Sequence, residues 1–481
     1  MNFIIEKYKS MSKPLKASLW FMLCNVIQKG ISVLCTPIFT RMMTADQYGE
    51  YTVYLSWYSI ISIFASLNLA AGVYNNGLTK YPNDRDRISS SFLGLSSIAT
   101  IVVFLVYIIF IDFWNSIIEL PEIMIITMFV EVFFSSAFNL WSARLRYDYK
   151  YIGIIIACLI IGVFGPLTAY FAVLNSNNKS LAIVLSFAGV QIVVGIVLYI
   201  SIFISGKTFY DGKYWKYALS FNLPLIPHYL SQILLNQADR IMIKRLIGFD
   251  AAAMYGVAYT ISMVMLIVVS AINNTLVPYI YKSMKSNEIK KLKDTSTILT
   301  ILVLIICIIA TLCGPELIRL LAPEDYYQAR WVVPPVATSL FFIFVAGLFG
   351  TIEFYYEKTK FVMIASSSAA ISNVLLNYYY INLYGFIAAG YTTLICYILL
   401  MIAHFLFYRK LCKEHMNKIY DDKFIILLSL MIIIINAICL IIYDLILVRY
   451  VFFVLLVIVI LFILKKVINV LHIIKTKDSD K

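Results

Sequence analysis

The chain has 481 residues, of which 62% are hydrophobic and only 14% are charged, and its formal net charge is +13. A soluble domain of this size needs more charged residues to cover its surface, so the composition excludes a soluble globular protein. The basic residues are spread among short polar segments, which argues against nucleic acid as a partner.

Apolar segments of membrane-spanning length recur from one end of the chain to the other. A helix of about 20 residues crosses the roughly 30 Å hydrocarbon layer of a bilayer. By this measure the sequence predicts an all-α, polytopic membrane protein with about fourteen transmembrane helices. We number these as spans in chain order: 15–39, 51–73, 89–111, 118–141, 151–174, 180–204, 216–238, 254–281, 296–321, 332–352, 361–382, 385–408, 423–444 and 448–472.

The basic residues are distributed unevenly between the two sets of loops. Most of the 39 Lys and Arg residues fall at the two termini and in the loops that follow even-numbered spans. The positive-inside rule then predicts a multi-pass protein of the cytoplasmic (inner) membrane with both termini in the cytoplasm. The first span is too long for a cleavable signal peptide.

Two similar segments occur at residues 39–60, FTRMMTADQYGEYTVYLSWYSI, and 238–262, ADRIMIKRLIGFDAAAMYGVAYTIS. Each leaves a polar span, passes an Arg and an acidic residue, and enters the next span through Tyr-Gly. The corresponding residues are Arg41, Asp46, Tyr48 and Gly49 in the first copy and Arg245, Asp250, Tyr255 and Gly256 in the second.

An even number of spans separates the two copies, so the halves are predicted to be parallel, with a site between them. The Tyr-Gly pairs are predicted to begin spans 2 and 8 as a scaffold of that site. The predicted division is a first lobe of residues 1–210 with spans 1–6, a second lobe of 211–414 with spans 7–12, and an addition of 415–481 with spans 13–14 and a cytoplasmic tail.

Polar residues recur at helical spacing in spans 1, 2, 7 and 8. Such residues are costly in hydrocarbon and face either water or another helix, and for one helix both alternatives are open. Because the repeat relates these four spans, we predict that they line a shared aqueous cavity. The predicted cavity residues are Asn25, Gln28, Lys29, Ser32, Tyr51, Tyr54, Tyr58, His228, Gln232, Asn236, Tyr255, Tyr259 and Asn273.

Lys29 lies midway along span 1, too deep to reach either membrane surface readily. A cation there costs at least ~2.5–3.5 kcal/mol unless water or an anion offsets it. One interpretation is a contact to an anionic substrate group such as a phosphate. The alternative is a structural pairing, for which Glu131 in span 4 is a candidate. Glu131 is also a candidate for carrying a coupling proton.

The loop after span 7 departs from the charge bias, since it is basic on the side where basic residues are few. Arg240, Lys244 and Arg245 are predicted to draw an anion to an outer gate. Arg41 is also assigned to this gate, as is Asp239, which is predicted to pair with Arg240 and shape the outer mouth. Pro224 and Pro227 both fall in span 7, where proline leaves backbone carbonyls without partners. They predict either a hinge for alternating access or a static kink.

No pattern of catalytic residues is visible. The sequence has neither a G-x-x-x-x-G-K-[ST] loop nor H-E-x-x-H, and no loop is long enough for a soluble catalytic domain. The eight cysteines form no C-x-x-C pair and are interpreted as packing residues. We therefore predict a protein that is not an enzyme and has no cofactor or metal.

The segment DRIMIKRLIGFDAAAMYGVAY and the preceding NLPLIPHYLSQILLNQA, from Asn222 to Ala238, resemble the central signature and span 7 of prokaryotic polysaccharide flippases. These are the O-antigen and capsule repeat-unit exporters of the multidrug/oligosaccharidyl-lipid/polysaccharide (MOP) superfamily. The resemblance implies a V-shaped cavity between two six-helix lobes. It also implies flipping of an undecaprenyl-diphosphate-linked oligosaccharide to the outer leaflet, as in lipopolysaccharide biosynthesis.

The partners implied by the resemblance are the lipid-linked oligosaccharide, membrane lipid, and a glycan polymerase with its chain-length regulator. Two alternatives in the same superfamily are a lipid II flippase and a multidrug antiporter. Drug antiporters resemble the layout but carry acidic residues in the early spans, whereas span 1 here carries Lys29. A membrane-embedded enzyme of glycan assembly is a third alternative, which the lack of a soluble lobe disfavours.

Overall fold

The computed structural model describes residues 13–286, 288–414 and 418–458. Within these ranges the chain is helical and contains no β-strand, as the sequence predicts. The first-half helices are α1 (Lys13–Met42), α2 (Ala45–Ser66), α3 (Val73–Lys80), α4 (Arg85–Ile109), α5 (Ile111–Ile118), α6 (Glu122–Tyr147), α7 (Ile152–Asn175) and α8 (Lys179–Gly206).

The second half continues in the same manner, with two 3-10 segments at Leu223–Leu225 and Glu324–Val332. Its helices are α9 (Gly212–Asn222), α10 (Ile226–Leu246), α11 (Phe249–Lys285), α12 (Ile289–Leu312), α13 (Gly314–Leu321), α14 (Val333–Tyr355), α15 (Thr359–Tyr384), α16 (Ile387–Glu414), α17 (Asp422–Ile442) and α18 (Ile446–Ile458).

Eleven helices of the described chain are long and apolar enough to cross a membrane. Predicted spans 2 and 7 correspond to α2 and to the α9–α10 pair, which carry polar stripes and are not among the eleven. Most of span 14 lies outside the described residues. The protein is thus a polytopic membrane protein, and the count of fourteen stays a prediction.

Span 7 is two helices rather than one. α9 ends at Asn222, a single 3-10 turn follows, and α10 begins at Ile226. Pro224 lies in the 3-10 turn and Pro227 in the first turn of α10. A proline at the start of a helix removes an N–H that would have no partner there, so these prolines separate two helices at little cost. Their action as a hinge stays a prediction.

Contacts between helix ends define the two faces of the bundle. Arg85 at the start of α4 pairs with Asp148 just after α6 at 3.2 Å, so these ends share one face. On the other face, Lys179 at the start of α8 donates a hydrogen bond to the Met42 carbonyl at the end of α1, at 2.6 Å. We call the first the basic face, since the predicted basic loops fall there, and the second the opposite face.

Helix α2 lies at the contact between the predicted halves. It packs against α4, α6 and α8 of the first half, and more extensively against α10 and α11 of the second. Helix α1 also contacts α11, whereas α17 packs against α12 and α14. Because α2 and α11 contain the two copies of the repeat, the repeated segments meet where the halves meet.

The two copies differ in one respect that shapes the site. In the second copy, α11 runs unbroken for 37 residues. In the first, the chain leaves the helical path after α2, where Leu67 and Asn68 have φ of 52° and 47°, before α3 resumes. Non-glycine residues rarely adopt this left-handed conformation. The break is held in place because Asn222 at the end of α9 donates a side-chain hydrogen bond to the Leu67 carbonyl.

Candidate functional site

A cavity of about 550 Å³ lies where α1, α2, α6, α7 and α8 face α10 and α11. This volume is in the range of small-molecule binding sites. Apolar walls, such as Phe39, Phe138 and Phe187, alternate with polar groups. The polar side chains of the lining include Gln28, Thr36, Tyr48, Tyr51, Thr52, Tyr58, Ser59, Ser135, Asn139, Gln191, Gln237, Arg240 and Thr260.

The structure places three of the predicted residues of spans 1 and 2 on this lining. They are Gln28, Tyr51 and Tyr58. The side chains of three other predicted residues lie outside the described part of the structure, so their roles stay predictions; these are Asn25, Lys29 and Ser32.

Tyr54 and Glu131 form a buried pair beside the cavity. The Tyr54 hydroxyl donates to Glu131 Oε2 at 2.7 Å, and both side chains are buried. One turn further on, the Tyr58 hydroxyl lies 3.1 Å from Ser135 Oγ. Tyr54 therefore binds the candidate coupling residue rather than facing the cavity.

The polar stripe of α10 contacts other helices instead of the cavity. His228 Nδ1 lies 3.3 Å from Ser366 Oγ of α15, and Asn236 Oδ1 accepts a hydrogen bond from the Tyr259 hydroxyl of α11 at 2.8 Å. Gln232 is exposed, and its Nε2 lies 3.2 Å from His228 Nε2 on the same helix. Asn273 of α11 is half-buried and also lies off the lining. These groups occupy one another's hydrogen-bonding capacity, which is the packing alternative for an intramembrane polar stripe.

Asp239 lies in the interior between four helices and not at an outer gate. Its Oδ1 accepts from Asn377 Nδ2 at 2.6 Å, and its Oδ2 accepts from the Thr393 hydroxyl at 2.9 Å and from the Tyr255 hydroxyl. Asp239 and Tyr255 are fully buried. Convergent neutral donors of this kind offset the cost of burying a carboxylate.

Arg240 faces the other way and lies on the cavity lining. Its Nη1 donates to Gln237 Oε1, and its guanidinium lies 4.6 Å from the ring centroid of Tyr259. None of the ion pairs formed by the described residues includes Arg240, which is only 7% exposed. A guanidinium without a carboxylate partner at a polar cavity can bind an anion through two parallel hydrogen bonds.

The remaining predicted gate residues lie at the opposite face and outside the cavity. Lys244 pairs with Glu119, and Arg245 is exposed at the end of α10. Arg41 Nη2 donates to the Arg319 carbonyl at 3.2 Å. Their backbone and ion-pair contacts tie the halves together on this face, and a role in attracting anions stays a prediction.

Several lining residues were missed by the sequence analysis. Asn139 and Gln191 are the single amide side chains of spans 4 and 6. A lone amide in an apolar span is itself a signal, because it needs a polar partner or water. Gln237 lies between Asn236 and Asp239, two members of the predicted stripe of span 7, and was not itself predicted.

Comparisons with known proteins agree with this architecture. A family model described as polysaccharide biosynthesis protein matches residues 15–284, and one described as MatE matches residues 224–379. A Haemophilus influenzae protein of the Lsg locus is 26% identical over 184 residues, which cover 34% of this chain and 42% of that protein. The chain therefore aligns with less than half the length of this curated relative.

Two solved structures share the fold over most of their length. The lipid II flippase MurJ, in an inward closed conformation, has a TM-score of 0.68 at 14% identity, covering 92% of this chain and 97% of MurJ. An inward-facing multidrug resistance MATE family transporter of the MOP superfamily has a TM-score of 0.65 at 12% identity, covering 82% of this chain and 95% of the transporter.

The all-helical bundle thus has the fold shared by the lipid II flippase MurJ and a MATE transporter of the MOP superfamily. Within that class, the matched family model extends over more than half of the chain. The chain belongs to the polysaccharide biosynthesis protein family, as the resemblance of residues 222–259 to polysaccharide flippases predicts.

Proposed function

We propose that the protein flips a polyprenyl-diphosphate-linked oligosaccharide repeat unit across the cytoplasmic (inner) membrane by alternating access. The observation that carries the proposal is the lining of the central cavity. It combines hydroxyls and amides, which hydrogen-bond sugars, with one guanidinium that has no carboxylate partner, Arg240. Membership of the polysaccharide biosynthesis family supports the same substrate class.

Each type of lining residue has a part in binding the headgroup. Gln28, Asn139, Gln191 and Gln237 hydrogen-bond the sugar hydroxyls, and Tyr51 and Tyr58 stack on sugar rings. Arg240 neutralises part of the diphosphate charge, together with Lys29 as the sequence predicts. The polyprenyl tail stays in the lipid while the polar headgroup crosses through the cavity.

The orientation follows from the charge bias. The basic face is cytoplasmic, both termini lie there, and the headgroup enters from that side. The two lobes, residues 1–210 and 211–414, alternate around the cavity. On the outer leaflet the product passes to a glycan polymerase and chain-length regulator of an O-antigen or capsule pathway.

The lipid II flippase remains the second candidate, because MurJ shares this fold over 97% of its length. Lipid II is also a polyprenyl-diphosphate-linked sugar, so the same lining serves both substrates. A cationic-drug antiporter fits less well. The described lining contains a guanidinium and no carboxylate, and that charge repels a cation.

Deletion of the gene separates these functions. We expect a viable strain that lacks surface polysaccharide and accumulates undecaprenyl-diphosphate-linked repeat units in the cytoplasmic leaflet. Loss of viability with accumulation of lipid II would instead support the cell-wall function. Drug hypersensitivity with normal polysaccharide would support an antiporter. New glycosidic linkages made by the purified protein would overturn transport in favour of an enzyme.

A further inference from the structure

A group of neighbouring pockets lies between the central cavity and the basic face. One of about 250 Å³ is lined by the end of α2, the break that follows it, and Arg146. Asn139 lines both this pocket and the central cavity. Arg146 also lines an open pocket of about 620 Å³ at the surface. We call this group the vestibule, and its polar side chains are Ser66, Asn68, Asn75, Ser96, Ser136, Asn139, Arg146 and Tyr147.

The vestibule exists because the first copy of the repeat is broken. Where α11 continues as a helix, the chain after α2 turns away at Leu67 and Asn68. The small residues Ala70 and Ala71 then line the space between this turn and α6. An unbroken helix would fill that space with side chains.

Arg146 is the charged residue of the vestibule. Its Nη2 donates to Ser142 Oγ at 3.0 Å, which is one turn back on α6, and its side chain is exposed. Arg144, two residues earlier, pairs with Asp86 at 3.3 Å and with Asp148 at 2.9 Å. No ion pair among the described residues includes Arg146.

The surroundings of Arg146 suit an anion. The described linings of the vestibule contain no Asp or Glu, so no acidic side chain competes for the guanidinium. Its planar fork can donate two parallel hydrogen bonds to a phosphate. Asn68 and Asn139 add amide donors on the path towards the central cavity.

We propose that Arg146, with Asn68 and Asn139, forms a phosphate-binding site in the vestibule. It receives the diphosphate of the lipid-linked substrate from the membrane before the headgroup reaches the central cavity. This inference rests on the proposed function. Arg146 at the basic face and Arg240 in the cavity then act in sequence on the same anionic group.

Binding to the purified full-length protein tests the site. The probe is undecaprenyl diphosphate, followed by native mass spectrometry, with undecaprenol as the ligand that lacks phosphate. We expect Arg146→Gln to weaken binding of the diphosphate by about tenfold, because a hydrogen-bonded charge is lost. Arg146→Lys keeps the charge without the fork and should weaken binding less, which also guards against misfolding of the glutamine variant.

Lys150→Gln is the matched control, since Lys150 is an exposed cation of the loop that follows α6, four residues after Arg146, and lines none of these pockets. It should bind undecaprenyl diphosphate like the wild type. Unchanged binding by both Arg146 variants would overturn the site and leave the proposed function standing. Wild-type protein that fails to bind undecaprenyl diphosphate would overturn both.

A competition experiment distinguishes the substrate from bulk membrane lipid, which carries the same phosphate chemistry. We expect an excess of phosphatidylglycerol to leave binding of undecaprenyl diphosphate to the wild type largely intact. If phosphatidylglycerol instead displaces undecaprenyl diphosphate from the wild type as well as undecaprenyl diphosphate itself does, and this displacement is lost in Arg146→Gln, the site belongs to a membrane phospholipid. That result would overturn the substrate role.

Discussion

A Cβ atom on Gly49 would lie 1.8 Å from the backbone oxygen of Phe249. Gly49 is in the first turns of α2 and Phe249 is the first residue of α11, so the two copies of the repeat touch at their backbones. Gly256 approaches Thr52 in a similar way, with its Cβ position 3.1 Å from Thr52 Cγ2. The glycines of the two Tyr-Gly pairs therefore allow α2 and α11 to pack closely against each other near the opposite face.

Gly49→Ala should destabilise the protein. The neighbouring atom belongs to the backbone and cannot rotate away, so α2 and α11 must separate, at a cost of about 1–3 kcal/mol. Thermal unfolding of the purified protein in detergent measures the loss. Gly347→Ala is the control, because its Cβ would meet nothing within 4 Å. Equal melting temperatures for the two variants would contradict the tight contact.

The sequence predicted the helical class, the repeat and the polar faces, because these depend on local periodicity. It did not predict which neighbour each polar face meets. The faces of α1 and α2 border the cavity, as Gln28 and Tyr58 show. The face containing His228 and Asn236 contacts packed helices instead, since the rotation of α10 about its axis is set by tertiary packing.

Asp239 and Arg240, which are adjacent in sequence, also show that the sequence does not predict which neighbours a polar side chain meets. Asp239 and Arg240 were predicted together at an outer gate, yet successive residues of a helix project about 100° apart. Asp239 therefore reaches the interior and Arg240 the cavity. The vestibule was beyond sequence reasoning because it depends on a backbone break at Leu67 and Asn68, neither of which is a glycine or proline.

Arg240→Gln should reduce polysaccharide export without loss of protein. The amide still reaches Gln237 but supplies no charge to a diphosphate, and a hydrogen bond to a charged group contributes about 1.5–3 kcal/mol. Surface polysaccharide per unit of flippase in the membrane is the measurement. Arg240→Lys should retain part of the activity, because it keeps the charge. Normal export by Arg240→Gln would remove Arg240 from the substrate site.

Lys29→Gln should abolish surface polysaccharide while the protein level stays unchanged. The reason is the cost of a cation in the middle of span 1, which an anionic substrate group would offset. Immunoblots of the membrane fraction and staining of surface polysaccharide provide the two readings. Normal export by this variant would contradict the charge hypothesis.

Glu131→Gln should fold normally and lose any dependence of export on the proton gradient. The amide oxygen still accepts the hydrogen bond from Tyr54, which is 2.7 Å from Glu131 Oε2, but the side chain can no longer take up a proton. Glu131→Leu is the contrast, since it leaves the Tyr54 hydroxyl unpaired at a cost of about 1–3 kcal/mol. Export by Glu131→Gln that still responds to an uncoupler would exclude Glu131 from coupling.

Asp239→Asn should destabilise the protein although the two side chains have the same shape. The carboxylate accepts from Tyr255, Thr393 and Asn377, and Thr393 also accepts from Asn373 Nδ2 at 3.0 Å. The amide of the new Asn has one oxygen in place of two, so its NH₂ group must face hydrogen-bond donors that the second carboxylate oxygen had accepted from.

If the amide oxygen of the new Asn keeps the hydrogen bond from Asn377, its NH₂ group points at the hydroxyls of Tyr255 and Thr393. The Thr393 hydroxyl already accepts a hydrogen bond from Asn373. The Thr393 proton then has no acceptor, and a buried unpaired donor costs about 1–3 kcal/mol. Tyr255→Phe removes a single donor from the same carboxylate and should cost less in the same thermal unfolding assay. A melting temperature of Asp239→Asn that equals that of the wild type and exceeds that of Tyr255→Phe would contradict this prediction. It would show that the three donors do not hold a charged carboxylate.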